Sequence, residues 1–175
     1  MHADAQNEFL NAEIFSMTLA ATAQRSRLYA PNLSEDDRKP FQKSLKAALE
    51  SIASGYKKAV SEDQHVQNIT DLAAKLTHKH PALLDGGKMK FGHAQKALNL
   101  YLKYLWCLGK LPMPPHCPID SIILKKIPKF TQERWTQLDS AERYKSIIAS
   151  AKAKAKEKGL LLAAWELNEY NANAT

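Results

Sequence analysis

Long apolar runs, glycine and cysteine are all scarce in this sequence, and each scarcity removes a class of protein. The longest uninterrupted apolar run, Leu160 to Trp165, is six residues, far short of the roughly 20 that a membrane-spanning helix needs. Six glycines and eight prolines among 175 residues exclude a collagen-like or Pro/Gly-rich disordered chain. Two cysteines make no disulfide framework, so a reducing, cytoplasmic setting is expected. Met1 to Glu8 carries neither the basic start nor the apolar stretch of a secretory signal. Walker-type glycine loops, Gly-x-Gly-x-x-Gly, Cys-x-x-Cys and His-Glu-x-x-His are missing too, and no cofactor or metal is expected. What remains is an ordinary globular composition, 45% hydrophobic and 25% charged, long enough for one domain and too short for two.

The apolar spacing is helical nearly throughout. Leu10, Ile14, Met17 and Ala21 predict a first helix from about Asn7 to Leu28. Ser34 and the acids after it open a second, with Pro40 in its first turn and a stripe of Phe41, Leu45, Leu49, Ile52 and Tyr56. Ser61 to Gln64 reads as a capping box ahead of Val66, Ile69, Ala73 and Leu76. The fourth helix, about Phe91 to Leu108, is apolar almost all round, the mark of a central helix with neighbours on several sides. Pro112, Pro114, Pro115 and Pro118 force an extended connection. A short helix is predicted from Pro118, and a further one, capped at Asp139 to Glu142, stops at Gly159. Leu160 to Tyr170 fits a last helix or a short strand, and Asn171 to Thr175 a frayed tail. Residues 1–175 are therefore expected to form one all-α domain of six or seven helices.

The formal net charge of +7 arises entirely in the middle of the chain. Residues 1–85 hold ten Lys or Arg against eleven Asp or Glu, and residues 131–175 hold seven against six. Residues 86–130 hold eight lysines against Asp120 alone. A field of that sign attracts phosphates, nucleic acid or other polyanions. The alternative is a solvated lysine face opposite an acidic surface of the same molecule.

Two stretches have the residue types for chemistry. On the fourth helix Gly92, Gln95, Lys96, Asn99 and Lys103 form a narrow polar stripe at spacings of three and four. An unpaired buried polar group costs on the order of 1–3 kcal/mol. The stripe therefore either bonds loop backbone, its lysines reaching out to water, or lines an anion-binding cleft made of Lys96, Asn99, Lys103, Gln95 and His93. The second stretch is Pro115-His-Cys-Pro-Ile-Asp120. If Pro118 opens a helix, Cys117 is the N-cap, where the helix dipole favours a thiolate and Asp120 opposes it. His116 and Asp120, with Lys96 as clamp, have the makings of acid–base catalysis on a phosphate substrate without a metal. Phe91, Tyr101, Tyr104, Trp106 and Phe130 interleave with the lysines, a mixture that serves base stacking or core packing.

The Ala-Gln-Lys-x-Leu-Asn-x-x-Leu-Lys-Tyr-Leu pattern of residues 94–105, His-Cys-Pro-Ile-Asp at 116–120, and Trp135 before Leu138-Asp139 together resemble a group of helical bacterial proteins. The resemblance covers residues 91–150. It implies a shared helical core and a shared site around the two motifs, and it transfers no catalytic residue. The leading expectation is a helical binding module with a basic central cleft for an anionic partner, nucleic acid first among them. The alternatives are a nuclease- or phosphodiesterase-like enzyme using His116 and Asp120, and a structural or homo-oligomeric interaction protein. No membrane partner is expected.

Overall fold

The computed structural model describes residues 2–24 and 26–174, the side chains of His2, Ala3 and Ala174 excepted. Among these residues seven α-helices follow one another: α1 (His2–Ala23), α2 (Glu35–Ser54), α3 (Glu62–Lys79), α4 (Phe91–Cys107), α5 (Ser121–Lys126), α6 (Ala141–Glu157) and α7 (Leu162–Ala174). Among the described residues there is no strand, only an isolated antiparallel bridge between Tyr29 and Leu84, and no helix long and apolar enough to cross a membrane.

The apolar circumference of α4 has the predicted consequence. Every residue from Phe91 to Lys103 is buried, because α1, α2, α3 and the turn Trp135–Gln137 pack around the helix. One core cluster runs from Ile14 on α1 to Trp165 on α7.

Several boundaries differ from those predicted. On α1 the buried face is Ile14, Thr18 and Thr22, while Leu10 and Met17 are exposed. The hydroxyl of Thr22 donates to the Thr18 carbonyl at 2.8 Å and that of Ser26 to the Thr22 carbonyl at 2.6 Å. Thr22 thus enters the core with its hydroxyl bonded to the helix itself, whereas the buried Thr18 hydroxyl has no hydrogen-bond partner among the described residues. Pro40 lies in the second turn of α2, not the first, because Ser34 and Asp37 close a capping box that starts the helix at Glu35. Pro118 does not open α5; Asp120 is the N-cap, its Oδ1 accepting from Ile122 and Ile123 at 3.0 and 3.1 Å. Ser140, one residue after Asp139, caps α6. The tail expected to fray is helical as far as Ala174, and Thr175 lies outside the described residues.

Asp139 is used at a different helix. The first turn of α4 has no cap from its own Lys90. Its amides are met from across the molecule: Phe91 N–H donates to Asp139 Oδ1 at 3.3 Å and Gly92 N–H to the Leu138 carbonyl at 2.7 Å. So close an approach needs a residue without Cβ, since a methyl at Gly92 would sit 1.9 Å from the Trp135 carbonyl oxygen. Gly92 thereby fixes Trp135 against α4. Gly92→Ala is expected to cost about 2–3 kcal/mol by overpacking, measured as a urea unfolding midpoint; a cost within roughly 0.5 kcal/mol, the range of surface substitutions, would contradict this packing.

Candidate functional site

The polar stripe of α4 is the centre of a buried hydrogen-bonded chain. Gln95 makes a two-way pair with one residue of the extended connection: its Nε2 donates to the Ile119 carbonyl at 2.7 Å, and the Ile119 N–H donates to its Oε1 at 3.0 Å. A backbone N–H can only donate, so the orientation of the Gln95 amide is settled. Everything beyond it follows. Asn99 Nδ2 must donate to Gln95 Oε1 (3.2 Å), and it donates also to the Tyr144 hydroxyl (3.0 Å). Its Oδ1 then faces His65 Nε2 at 2.8 Å, so that nitrogen carries the proton, and His65 Nδ1 accepts from the Tyr56 hydroxyl at 2.7 Å. On the other branch Tyr144 donates to His116 Nδ1 at 3.0 Å, which leaves the His116 proton on Nε2, directed at Glu62 Oε2 3.5 Å away.

Burial gives these groups their protonation. It drives the His65 imidazole down to about 3, with a charge on His116 adding to the effect, and it drives His116 down to about 4 against the pull of Glu62. The two rings meet edge to face with centroids 4.7 Å apart. Burial also pushes the Tyr56 hydroxyl up to about 12 and that of Tyr144 well above its ordinary range. At neutral pH the chain is uncharged from end to end.

Four of the eight central lysines are met by acids. Lys96 donates to Asp120 at 2.7 Å and Lys103 to Glu166 at 2.8 Å, both pairs largely buried. Lys88 pairs with Asp139 and Lys126 with Glu169, while Lys90 and Lys110 take amide oxygens of Gln137, Asn7 and Asn11. Asp139, Glu166 and Glu169 all come from the last 45 residues of the chain, which fold back over the basic segment. Burial raises the Glu166 carboxyl above its ordinary range even beside Lys103, so desolvation outweighs the pairing.

The residues expected to line one anion cleft are therefore distributed. Gln95 and Asn99 are wholly buried and bonded within the chain described above. Lys103 is enclosed between Glu166 and the Tyr170 ring, 4.4 Å away. His93 donates from Nε2 to the Ser26 carbonyl at 2.9 Å and braces Trp135 edge-on, at 5.8 Å. The catalytic grouping does not assemble either. His116 lines a cavity with Glu62, Lys145 and Lys152, whereas Asp120 and Lys96 line another with Trp135 and Arg134. Asn99 and His116 are linked through a single hydroxyl, that of Tyr144, but Asp120 is held by its cap and by Lys96. Cys117 is buried with its thiol pushed well above the ordinary range by desolvation, which removes the nucleophile reading.

The second cavity, about 440 Å³, is where three distant parts of the sequence meet: Lys96 of α4, Asp120 before α5, and Trp135. The Lys96 ammonium lies 6.0 Å from the Trp135 ring centroid, at the edge of cation–π range. Arg134 lies exposed on the rim, with no ion pair among the described residues; Ala21, Gln24, Ser121, Thr136, Tyr170 and Glu133, whose carboxylate pairs with Arg143, complete the wall. Spacing pointed to Lys96 and Asp120; Arg134 and Tyr170 carried no sequence signal, because loop and C-terminal residues reach this cavity only through the fold. Known protein families, curated proteins and solved structures yield no match to this chain.

The neutral histidines give stability a defined pH dependence. Each is protonated in the unfolded chain below about pH 6.5 but resists protonation when folded. The unfolded state thus binds more protons between pH 6.5 and about 4 for His116, or about 3 for His65. Stability is complete above pH 6.5 and falls as pH drops through that window. The loss between pH 7 and 5 is expected to be on the order of 2 kcal/mol per histidine, read from urea midpoints; a flat profile would contradict the buried chain. Breaking the other pair with Glu166→Gln is expected to cost about 3–5 kcal/mol, and the double change Lys103→Met with Glu166→Leu far less. Equal losses in the two variants would show that the pair itself stabilises the fold.

Proposed function

We propose that this protein is an anion-binding module whose ligand is an aromatic base carrying a phosphate, taken into the cavity between Lys96, Trp135 and Arg134. The observation that carries the reading is the unpaired Arg134 guanidinium beside the half-buried face of Trp135, over a lysine already held in place by Asp120. A planar base stacks on the indole. The guanidinium fork receives the phosphate in two parallel hydrogen bonds. Lys96 has spare donors after its bond to Asp120, and Ser121, Thr136 and Gln24 supply hydroxyl and amide groups around the rim. A cavity of this volume falls in the range of small-ligand sites.

The ligand chemistry has two sources, a free nucleotide or one nucleotide of a single strand. Quenching of tryptophan fluorescence, assigned to Trp135 by its loss in a Trp135→Phe variant that keeps Trp106 and Trp165, separates them when titrated with AMP, with inorganic phosphate and with a short oligodeoxythymidylate. Saturable quenching by AMP alone identifies the free nucleotide. Tighter, steeply salt-dependent binding of the oligonucleotide identifies the strand. Arg134→Met, a surface change that breaks no ion pair among the described residues, is expected to weaken either ligand about tenfold. No saturable response to AMP or the oligonucleotide, or an Arg134→Met variant that binds as well as the parent, would overturn the reading.

A further inference from the structure

The groove between α3 and α6 stands apart from that cavity. It has two lobes that share Glu62 and Lys152. The smaller, about 210 Å³, has His116 at its floor and Lys145 on its wall. The larger, about 480 Å³, is bounded mainly by Met113, Pro114, Pro115 and the apolar run Leu160 to Ala163. Leu161 is 71% exposed and Met113 38%, although both belong to a wall that is otherwise apolar.

Lys145, Ala149, Lys152 and Lys156 recur at three to four residues on α6 and so share one face. Ala149 leaves room in the groove, and the three ammonium groups edge it. Across from them stand Glu62 and Asp63, which pair with Lys152 and Lys145, while Lys156 has no ion pair among the described residues. The edge is cationic by one charge.

Glu62 already shows what fits. Its carboxylate lies between the Lys152 ammonium and the His116 Nε2–H, yet its side chain is 54% exposed and its contact to His116 is long, at 3.5 Å. The proton of His116 is held on Nε2 by the chain through Tyr144, Asn99 and Gln95, so the imidazole presents a neutral donor. A second carboxylate, arriving with its own apolar tail, can take the place of Glu62 while that side chain swings to water.

We propose that this groove binds an amphipathic carboxylate, its head on Lys152 and His116 in place of Glu62 and its hydrocarbon tail in the lobe of Pro114, Pro115 and Leu161. The head group gains a charge-assisted bond and the tail removes exposed apolar surface from water.

Calorimetric titration with sodium decanoate, below its micelle concentration, tests the assignment, with decan-1-ol and decyltrimethylammonium as controls. Saturable binding of decanoate alone is expected. Lys152→Met and Leu161→Glu should each weaken it about tenfold or more, whereas Glu62→Gln, which removes the internal competitor, should strengthen it several-fold. All three alter exposed or half-exposed side chains, so folding is not at stake. Arg134→Met should leave decanoate binding unchanged, which separates this site from the nucleotide cavity. Absence of saturable binding, equal binding of the alcohol or the cation, or weakening by Glu62→Gln would overturn the proposal.

Discussion

The side-chain amide of Gln95, paired in both directions with the peptide of Ile119, is the interaction on which the rest of the structure depends. It ties the proline-rich connection to the central helix at a point where neither has water to fall back on. It also sets a polarity. Because a backbone N–H has no choice of role, the direction of every hydrogen bond from Asn68 through Tyr56, His65, Asn99 and Tyr144 to His116 follows from it. Each buried donor in that chain meets an acceptor, which is how a helix buried on all sides accommodates a glutamine and an asparagine without the penalty of unpaired groups.

The same constraint places the two cavities. On one side of the connection Asp120, held by its cap on α5, draws Lys96 into a pair beside Trp135. On the other, His116 is left with its single proton pointing at the α3–α6 groove. Lys88, Lys103 and Lys126 of the central segment are met by carboxylates from α7 and from the segment before α6, so these lysines do not gather in one positive hollow. Of the cations lining the two cavities, Arg134 at one and Lys156 at the edge of the other have no ion pair among the described residues.

Much of the fold was legible in the sequence, and for a physical reason. Helical stripes of four or more apolar residues have few other uses, and the all-round apolar character of α4 announced its central place. The polar stripe was legible as well, since Gln95, Lys96, Asn99 and Lys103 share a face. Its partners were not. His65 and Tyr144 lie 34 and 45 residues from Asn99 in the chain, and each reads locally as part of an ordinary amphipathic helix. The charge of residues 86–130 misled because clustering along a sequence says nothing about which acids fold over it; Glu166 and Glu169 on α7 do so. The short helix was misplaced because proline at a first helical position is a common start, whereas here the carboxylate of Asp120, two residues later, makes the stronger cap.

The most direct test of the account is the position of the imidazole protons. Long-range ¹H–¹⁵N correlation spectra at pH 7 should show both His65 and His116 neutral with the proton on Nε2, and should keep that pattern down to about pH 5. A proton on Nδ1 of His116, or a charged imidazole at neutral pH, would mean that the chain does not run from Gln95 outward, and the groove would lose the donor it is built to present.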